Sequence, residues 1–210
     1  MNWEAIGLFV IKSGDQTGMR GLSNTRRMSL SAGSVFGVRP RDPMTGRSLW
    51  YDLPDEVGLL EFPPAILAHF GRFMQTQPWH KEAGGQLFWE YAPNGYRRVG
   101  AITGPRPRDR RSRFGYKPDH IAEQQEIDKY YSQGLYFLGD WHTHPQKVAQ
   151  PSPRDTKTIL ETYKRSTNAG PGFLMVIVGT SPLDIGLSVS WCNQTIRTIL
   201  PKNSPVNTLG

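Results

Sequence analysis

The sequence predicts an α/β domain in which a largely antiparallel, curved sheet is flanked by helices. Three observations carry this expectation. Helical and strand-like patterns alternate through residues 57–200 and do not segregate into halves. Asn94-Gly95, the strongest short hairpin signal, joins two apolar runs. Three further strand-like runs close the region, over Phe173 to Gly179, Ile185 to Trp191 and Gln194 to Leu200.

Taken in order, residues 1–56 read as a basic extension that contains strands, with Arg20, Arg26, Arg27, Arg39, Arg41 and Arg47 spread through it. Turn signals at Lys12-Ser13-Gly14-Asp15 and around Pro40 and Pro43 separate strand candidates over Ile6 to Ile11 and Met28 to Val38. A partly disordered basic arm is the alternative reading. Val57 to Phe62 reads as a strand closed by Pro63-Pro64. A helix follows over Pro64 to Gln77, with proline in its first turn and Ile66, Leu67, Phe70 and Phe73-Met74 along one face. Gly84 to Tyr91 and Arg97 to Thr103 form the hairpin strands. Gly104 to Pro118, rich in Pro and Arg, reads as an exposed loop. Pro118 to Gln133 is a helix, with Ile121, Gln124, Ile127, Asp128 and Tyr131 at helical spacing. A strand over Tyr136 to Trp141 and a helix over Ser152 to Lys164 precede the late strands. Residues 201–210 read as a loose tail.

Composition bounds the class. At 210 residues, with 37% hydrophobic and 20% charged content, the chain can bury one ordinary core. The lone Cys192 permits no internal disulfide and no cysteine-based zinc site, and it fits a reducing compartment. It lies in the strand-like run LSVSWCNQ and reads as a buried, inert thiol. No run approaches the roughly 18 apolar residues of a membrane span, and Ala5 to Ile11 is a poor signal-peptide core. The expectation is a soluble cytoplasmic protein. The net charge of +7 points to an acidic partner surface or to nucleic acid without choosing between them.

The chemistry concentrates in Tyr136 to Ile159, YFLGDWHTHPQKVAQPSPRDTKTI. Residues i and i+2 of a strand face the same side, so His142 and His144 can converge on one ion. With Asp155 they make a donor set acceptable to Zn²⁺ that leaves a fourth position open, as catalytic zinc sites do. Upstream, Glu82 leads into an apolar strand, and a carboxylate beside metal-bound water can act as its general base. Ser152-Pro153-Arg154-Asp155 is equally a helix start, with Ser as N-cap, Pro at N1 and an acid at N3. Both duties fit one aspartate, because a carboxylate has two oxygens.

In order and spacing these residues resemble the JAMM signature of the JAB/MPN metallopeptidases. Its three parts stand here as Glu82-Ala83-Gly84-Gly85-Gln86-Leu87, His142-Thr143-His144-Pro145 and Ser152-Pro153-Arg154-Asp155. The resemblance spans roughly residues 60–200. It implies the MPN (JAB) fold and one Zn²⁺ per chain held by His142, His144 and Asp155. It also implies Glu82 as general base and Ser152 as the donor that supports the oxyanion. Trp141 and Thr143 are expected to point to the opposite face, and His69, His80 and His120 to be surface histidines.

Within the family the chain resembles short bacterial members, through Ala83-Gly84-Gly85, Thr103-Gly104-Pro105, Ser112-Arg113-Phe114 and Asp140 to Pro145. Such members occur with ubiquitin-activating-like and conjugating-like proteins, including in antiphage signalling operons. The implied activity is an isopeptidase or peptidase that cleaves a protein conjugate after the last residue of a ubiquitin-like or nucleotidyltransferase tail. Arg106, Arg108, Arg110, Arg111 and Arg113 either grip an acidic partner or nucleic acid, or are a solvated loop. Two other classes compete: a non-catalytic binding module of the same fold, disfavoured because no ligand position is missing, and a basic nucleic-acid-binding protein. A barrel-type His-x-His hydrolase is disfavoured because that fold needs about 250 residues.

Overall fold

A computed structural model describes residues 46–166 and 171–202. The strand candidates over Ile6 to Ile11 and Met28 to Val38 lie outside the described residues, as does the tail from residue 203. The first elements are β1 (Leu49–Leu53), β2 (Gly58–Phe62), α1 (Pro64–Phe73), β3 (Gly84–Tyr91) and β4 (Arg97–Ile102). A short hairpin, β5 (Arg110–Ser112) and β6 (Gly115–Lys117), precedes α2 (His120–Ser132) and β7 (Tyr136–Thr143). Then come α3 (Pro153–Arg165), β8 (Phe173–Val178), α4 (Leu183–Gly186), β9 (Leu187–Cys192), β10 (Ile196–Ile199) and β11 (Pro201–Lys202).

Among the described residues nine strands form one mixed sheet in the order β10-β9-β8-β7-β3-β4-β2-β1-β11. Only β2–β4 and β7–β8 pair in parallel among the described residues. The sheet is strongly curved. Leu200 alone separates β10 on one edge from β11 on the other, and Asp55 accepts hydrogen bonds from Asn193 and Arg197 across the closing gap.

The expected α/β architecture is therefore present, with local differences that have physical causes. Leu49–Leu53, read from sequence as part of the extension, is a strand of this sheet whose Leu49, Trp50, Tyr51 and Leu53 are buried. The start of the supposed loose tail pairs with it. Helix α1 stops at Phe73, short of Gln77, where Met74 turns extended and sends Gln75 inward, leaving that residue 1% exposed. Of the stripe expected on α2, Ile127 is buried, but Ile121 is 73% exposed, and Glu123, outside the stripe, is buried. Gly104 to Pro118 is no simple exposed loop, since it contains β5–β6 and buries Arg106.

Each face of the sheet carries its own core. On one side α1 places Ile66, Leu67 and Phe70 against Leu60, Trp141 and Val176. On the other, α3 covers Phe173, Met175, Ile177 and Cys192 with Ile159. Burial raises the Cys192 thiol to about 11, so the inert reading of this cysteine fits. Simple alternation along β7 would put Leu138, Asp140 and His142 together, but a bulge intervenes. Leu87 pairs with Gly139 and Phe88 with Phe137, which skips Leu138. Leu138 and Trp141 then share the α1 core, while Asp140 and His142 look toward α2 and α3. Gly139 sits at φ +150°, and a Cβ there would lie 1.9 Å from the Leu174 carbonyl oxygen.

Replacement of Gly139 should therefore be costly. We expect Gly139→Ala to lower unfolding free energy by roughly 2–4 kcal/mol, through overpacking and backbone strain. Gly71→Ala, in open space within α1, should raise it by about 0.5–1 kcal/mol. Urea denaturation of the two variants beside wild type measures both.

Candidate metal centre

The site assembles where the central strands β3 and β7 meet. Their antiparallel register sets Gly84 opposite His142 and Gly85 opposite Trp141. One residue further on, the Thr143 amide donates to the Ala83 carbonyl at 2.8 Å, and the Ala83 amide donates to Thr143 Oγ1 at 3.0 Å. Thr143 Oγ1 in turn donates to Gln75 Oε1 at 3.0 Å. Trp141 and Thr143 are 1% and 0% exposed on the α1 side, opposite the His pair, as expected. Gly85 is needed for closeness: a Cβ there would stand 2.0 Å from the Thr103 carbonyl oxygen.

This register brings Glu82 to the His pair. One ligand atom each of Glu82, His142 and His144 lie within 4.8 Å of one another. Asp155 arrives from a different element. Ser152 caps α3, with its Oγ accepting from the Asp155 amide at 3.2 Å and its amide donating to Asp155 Oδ2 at 2.8 Å. That capping box fixes the Asp155 carboxylate, whose Oδ1 lies 3.6 Å from His142 Nε2 and whose Oδ2 lies 3.5 Å from His144 Nε2. The aspartate thus caps its helix and faces both imidazoles at once.

The two carboxylates are driven in opposite directions. Burial pushes Glu82 up to about 7; Asp155 adds to the rise, and His142 and Arg154 oppose it. Burial would also raise Asp155, but His142 and the contacts with Ser152 outweigh it and hold this carboxyl well below the usual range. Burial and the neighbouring His142 lower His144, which favours the neutral imidazole that a metal requires. Beside these groups a cavity of about 140 Å³ opens between β7, α2 and α3, lined by Tyr116, Asp140, Ile159 and Met175 among others.

The structure corrects the three remaining histidines. His69 Nε2 lies 3.0 Å from the Gly104 carbonyl, and its ring packs on Trp141. His80 Nδ1 lies 3.0 Å from the Met74 carbonyl, and His120 Nδ1 3.0 Å from Glu123. All three are half-buried and tied down, not surface groups. Sequence reading also missed the residues that brace the site. Arg111 Nε donates to the Glu82 carbonyl at 2.6 Å, and the Tyr116 hydroxyl donates to the Gly84 carbonyl at 2.9 Å. Arg106 is buried against Asp109, Glu123 and Glu126 and does not face a partner. Apart from Asp109, three residues from Arg106, each partner is distant in sequence, so little local pattern marks these roles.

Comparison with known proteins places the chain. Residues 67–192 match the family described as prokaryotic homologs of the JAB domain. The CD-NTase/cGAS isopeptidase of Escherichia coli is 28% identical over 127 residues, which cover 59% of this chain and 78% of that protein. The probable metalloprotease y4qB of Sinorhizobium fredii is 35% identical over 95 residues, or 43% of this chain. The match spans 57% of that relative's length, less than two thirds. The solution structure of a Desulfitobacterium hafniense protein is similar at a TM-score of 0.44 and 19% identity, covering 64% of this chain and 82% of that one.

The residues present fit the metal such a family implies. His142 Nε2 is buried without a hydrogen-bond partner among the described residues, a costly condition for an imidazole nitrogen unless an ion takes its lone pair. Ligand atoms about 2.0–2.1 Å from a tetrahedral zinc stand roughly 3.3–3.4 Å apart. The His–Asp distances of 3.5 and 3.6 Å are close to that edge.

Asp155 supplies a pH test on metal-free protein. Its folded carboxyl is depressed below the ordinary value of 3.8, so its stabilisation is full above about pH 4 and fades as pH falls. In the presence of chelator, Asp155→Ala should melt below wild type at pH 7, by about 1 kcal/mol as for other capping losses. That gap should narrow progressively as pH falls below about 4.

Proposed function

The chain belongs to the prokaryotic JAB-domain family, and we propose that it is a zinc-dependent isopeptidase or peptidase acting on a protein conjugate. The observation that carries this reading is the pair of carboxylates flanking one His pair, with proton affinities pushed apart. Separation of this kind divides the labour in acid–base sites: one group stays anionic and the other exchanges a proton near neutral pH.

His142, His144 and Asp155 hold the metal. When bound, zinc acidifies water and polarises a carbonyl. Glu82, 8% exposed and within 4.8 Å of the His nitrogens, receives the proton of the attacking water and returns it to the leaving amine. Ser152 supports the oxyanion from the N-cap of α3, a role worth roughly 3 kcal/mol in comparable enzymes. The Arg111 anchor on the Glu82 carbonyl keeps the base from swinging away.

The substrate we assign is a conjugate whose modifier ends in a ubiquitin-like or nucleotidyltransferase tail, cleaved after the tail's last residue to free a lysine amine. The name of the Escherichia coli relative supports the nucleotidyltransferase alternative. Ubiquitin-activating-like and conjugating-like proteins are the corresponding partners, with antiphage defence as the setting and the cytoplasm as the place. Among the described residues no helix is long and apolar enough to cross a membrane. In this reading the catalytic domain, expected over residues 57–200, also takes in Leu49–Leu53 and Pro201–Lys202, which pair in its sheet, and the residues before them extend it.

Metal content and turnover test the assignment together. Wild type should carry about one zinc per chain by mass spectrometry, and His142→Ala should carry none. Glu82→Gln should keep its zinc and lose 10²–10⁴-fold in cleavage of a tail–lysine conjugate. Full activity in Glu82→Gln would sink the mechanism.

A further inference from the structure

We propose that Gln75, just past the end of α1, is a positioning residue that holds Glu82 in place against the His pair. The inference rests on the peptidase reading only for calling Glu82 the base.

The bonding of this one side chain carries the inference. Gln75 is 1% exposed, and burying an amide is costly unless its hydrogen bonds are made. Here they are: Oε1 accepts from Thr143 Oγ1 at 3.0 Å, and Nε2 donates to the Arg113 carbonyl at 2.8 Å and to the His80 carbonyl at 3.3 Å. Both amide hydrogens are thus used. Thr143 Oγ1 already accepts from the Ala83 amide, and its single hydrogen goes to Gln75. Turning the amide over would set Oε1 against two carbonyl oxygens, so one orientation fits. A buried network with every member satisfied is rigid, and it specifies a single arrangement of the segments it joins.

Those segments are the ones that carry the site. Thr143 stands between His142 and His144 on β7, and His80 precedes Glu82 by two residues. Arg113 follows Ser112, whose carbonyl accepts from the Glu82 amide at 2.7 Å. The Arg113 side chain folds back on the same stretch, donating to the Gln77 and Pro78 carbonyls at 2.8 Å each. Between α1 and β3, residues 74–83 form no helix or strand, so contacts of this kind set their path. The ladder between β3 and β7 reaches Ala83 and ends there, with the Thr143 amide on the Ala83 carbonyl. Glu82 lies one residue beyond, and its own amide and carbonyl are both taken by the hairpin, through Ser112 and Arg111. The base is therefore registered to the hairpin and the histidines to β7. Gln75 joins the two, so the separation of base from ligands depends on its amide.

Amide hydrogen exchange tests this without turnover, on full-length Gln75→Met and Gln75→Glu beside wild type, each offered zinc. Methionine keeps the length of the side chain and makes none of the three bonds. Glutamate keeps an acceptor for Thr143 and sets an oxygen where the carbonyls of Arg113 and His80 need a donor. In Gln75→Met the Glu82 and Ala83 amides should exchange about tenfold faster, while those of β8 and β9 keep their protection. Zinc content should match wild type, because Gln75 is bonded to none of the three ligands. In Gln75→Glu the Ala83 amide should stay protected and the Glu82 amide should not. Turnover of a tail–lysine conjugate gives the second readout. Gln75→Met should lose about 10²-fold in kcat with KM nearly unchanged, as a displacement of about 1 Å can cost. Combined with Glu82→Gln it should lose no more than Glu82→Gln alone, since the two act through one group. An unchanged Glu82 amide in both variants, exchange that rises uniformly through the sheet, or losses that multiply in the double variant would each overturn the assignment. The expected exchange pattern in a chain that cleaves no conjugate would keep the positioning role and remove the peptidase reading. Cleavage that runs at the wild-type rate in Gln75→Met would do the reverse.

Discussion

Two hydrogen bonds between Ala83 and Thr143 hold the molecule's chemistry together. They join residues sixty apart in sequence, at the point where β3 and β7 exchange their last ladder contacts. Thr143 Oγ1 accepts one of them and passes a bond on to the buried Gln75, whose amide also donates to the Arg113 carbonyl at 2.8 Å. A single threonine hydroxyl thus ties together β3, β7, the segment after α1 and the β5–β6 hairpin. Because the clamp lies one residue from Glu82 on one strand and from both histidines on the other, slippage of this pairing would separate base from ligands. A slip of one residue would also turn the histidines into the α1 core.

The two faces of the sheet divide the work. The α1 face is a dense apolar core built round Trp141, with Phe70 and Phe73 packed on its ring and its indole N–H donating to the Thr103 carbonyl at 2.9 Å. That rigid backing is what the His pair stands on. The opposite face is polar near the site and apolar farther along β8, so α3 contributes Asp155 from its first turn and Ile159 from its second. Buried Arg106 is paired there: it meets Glu123 and Glu126, and it also donates to Thr103 Oγ1 at 3.2 Å. This network fastens the end of β4 to α2 and closes one wall of the cavity beside the metal centre.

Much of this was legible in the chain. Strand runs with turn signals located β3, β4 and β8 to within a residue, because alternation and Asn94-Gly95 are local causes with local effects. The capping box at Ser152 and Asp155 was legible for the same reason. Where the reading erred, the cause was distant. Leu49–Leu53 is a strand through β2 and β11, and α2 buries Glu123 because Arg106 waits for it. The arginines of residues 106–113 look alike in sequence, yet tertiary contacts sort them: Arg106 is inside, Arg111 and Arg113 are bonded to main-chain carbonyls, and Arg110 lines a charged hollow.

The sequence by itself determined the identity and order of the candidate site residues, since spacing along one strand and one helix start are properties of the chain. It determined the fold class for the same reason. Only the tertiary structure decided that Glu82 meets His142 and His144, and that Asp155 serves helix and imidazoles together. It alone raised one carboxyl and depressed the other. Proton affinity depends on what is buried beside a group and on how far away its neighbouring charges lie, and both are set when β3, β7 and α3 come together, not by the order of residues along the chain.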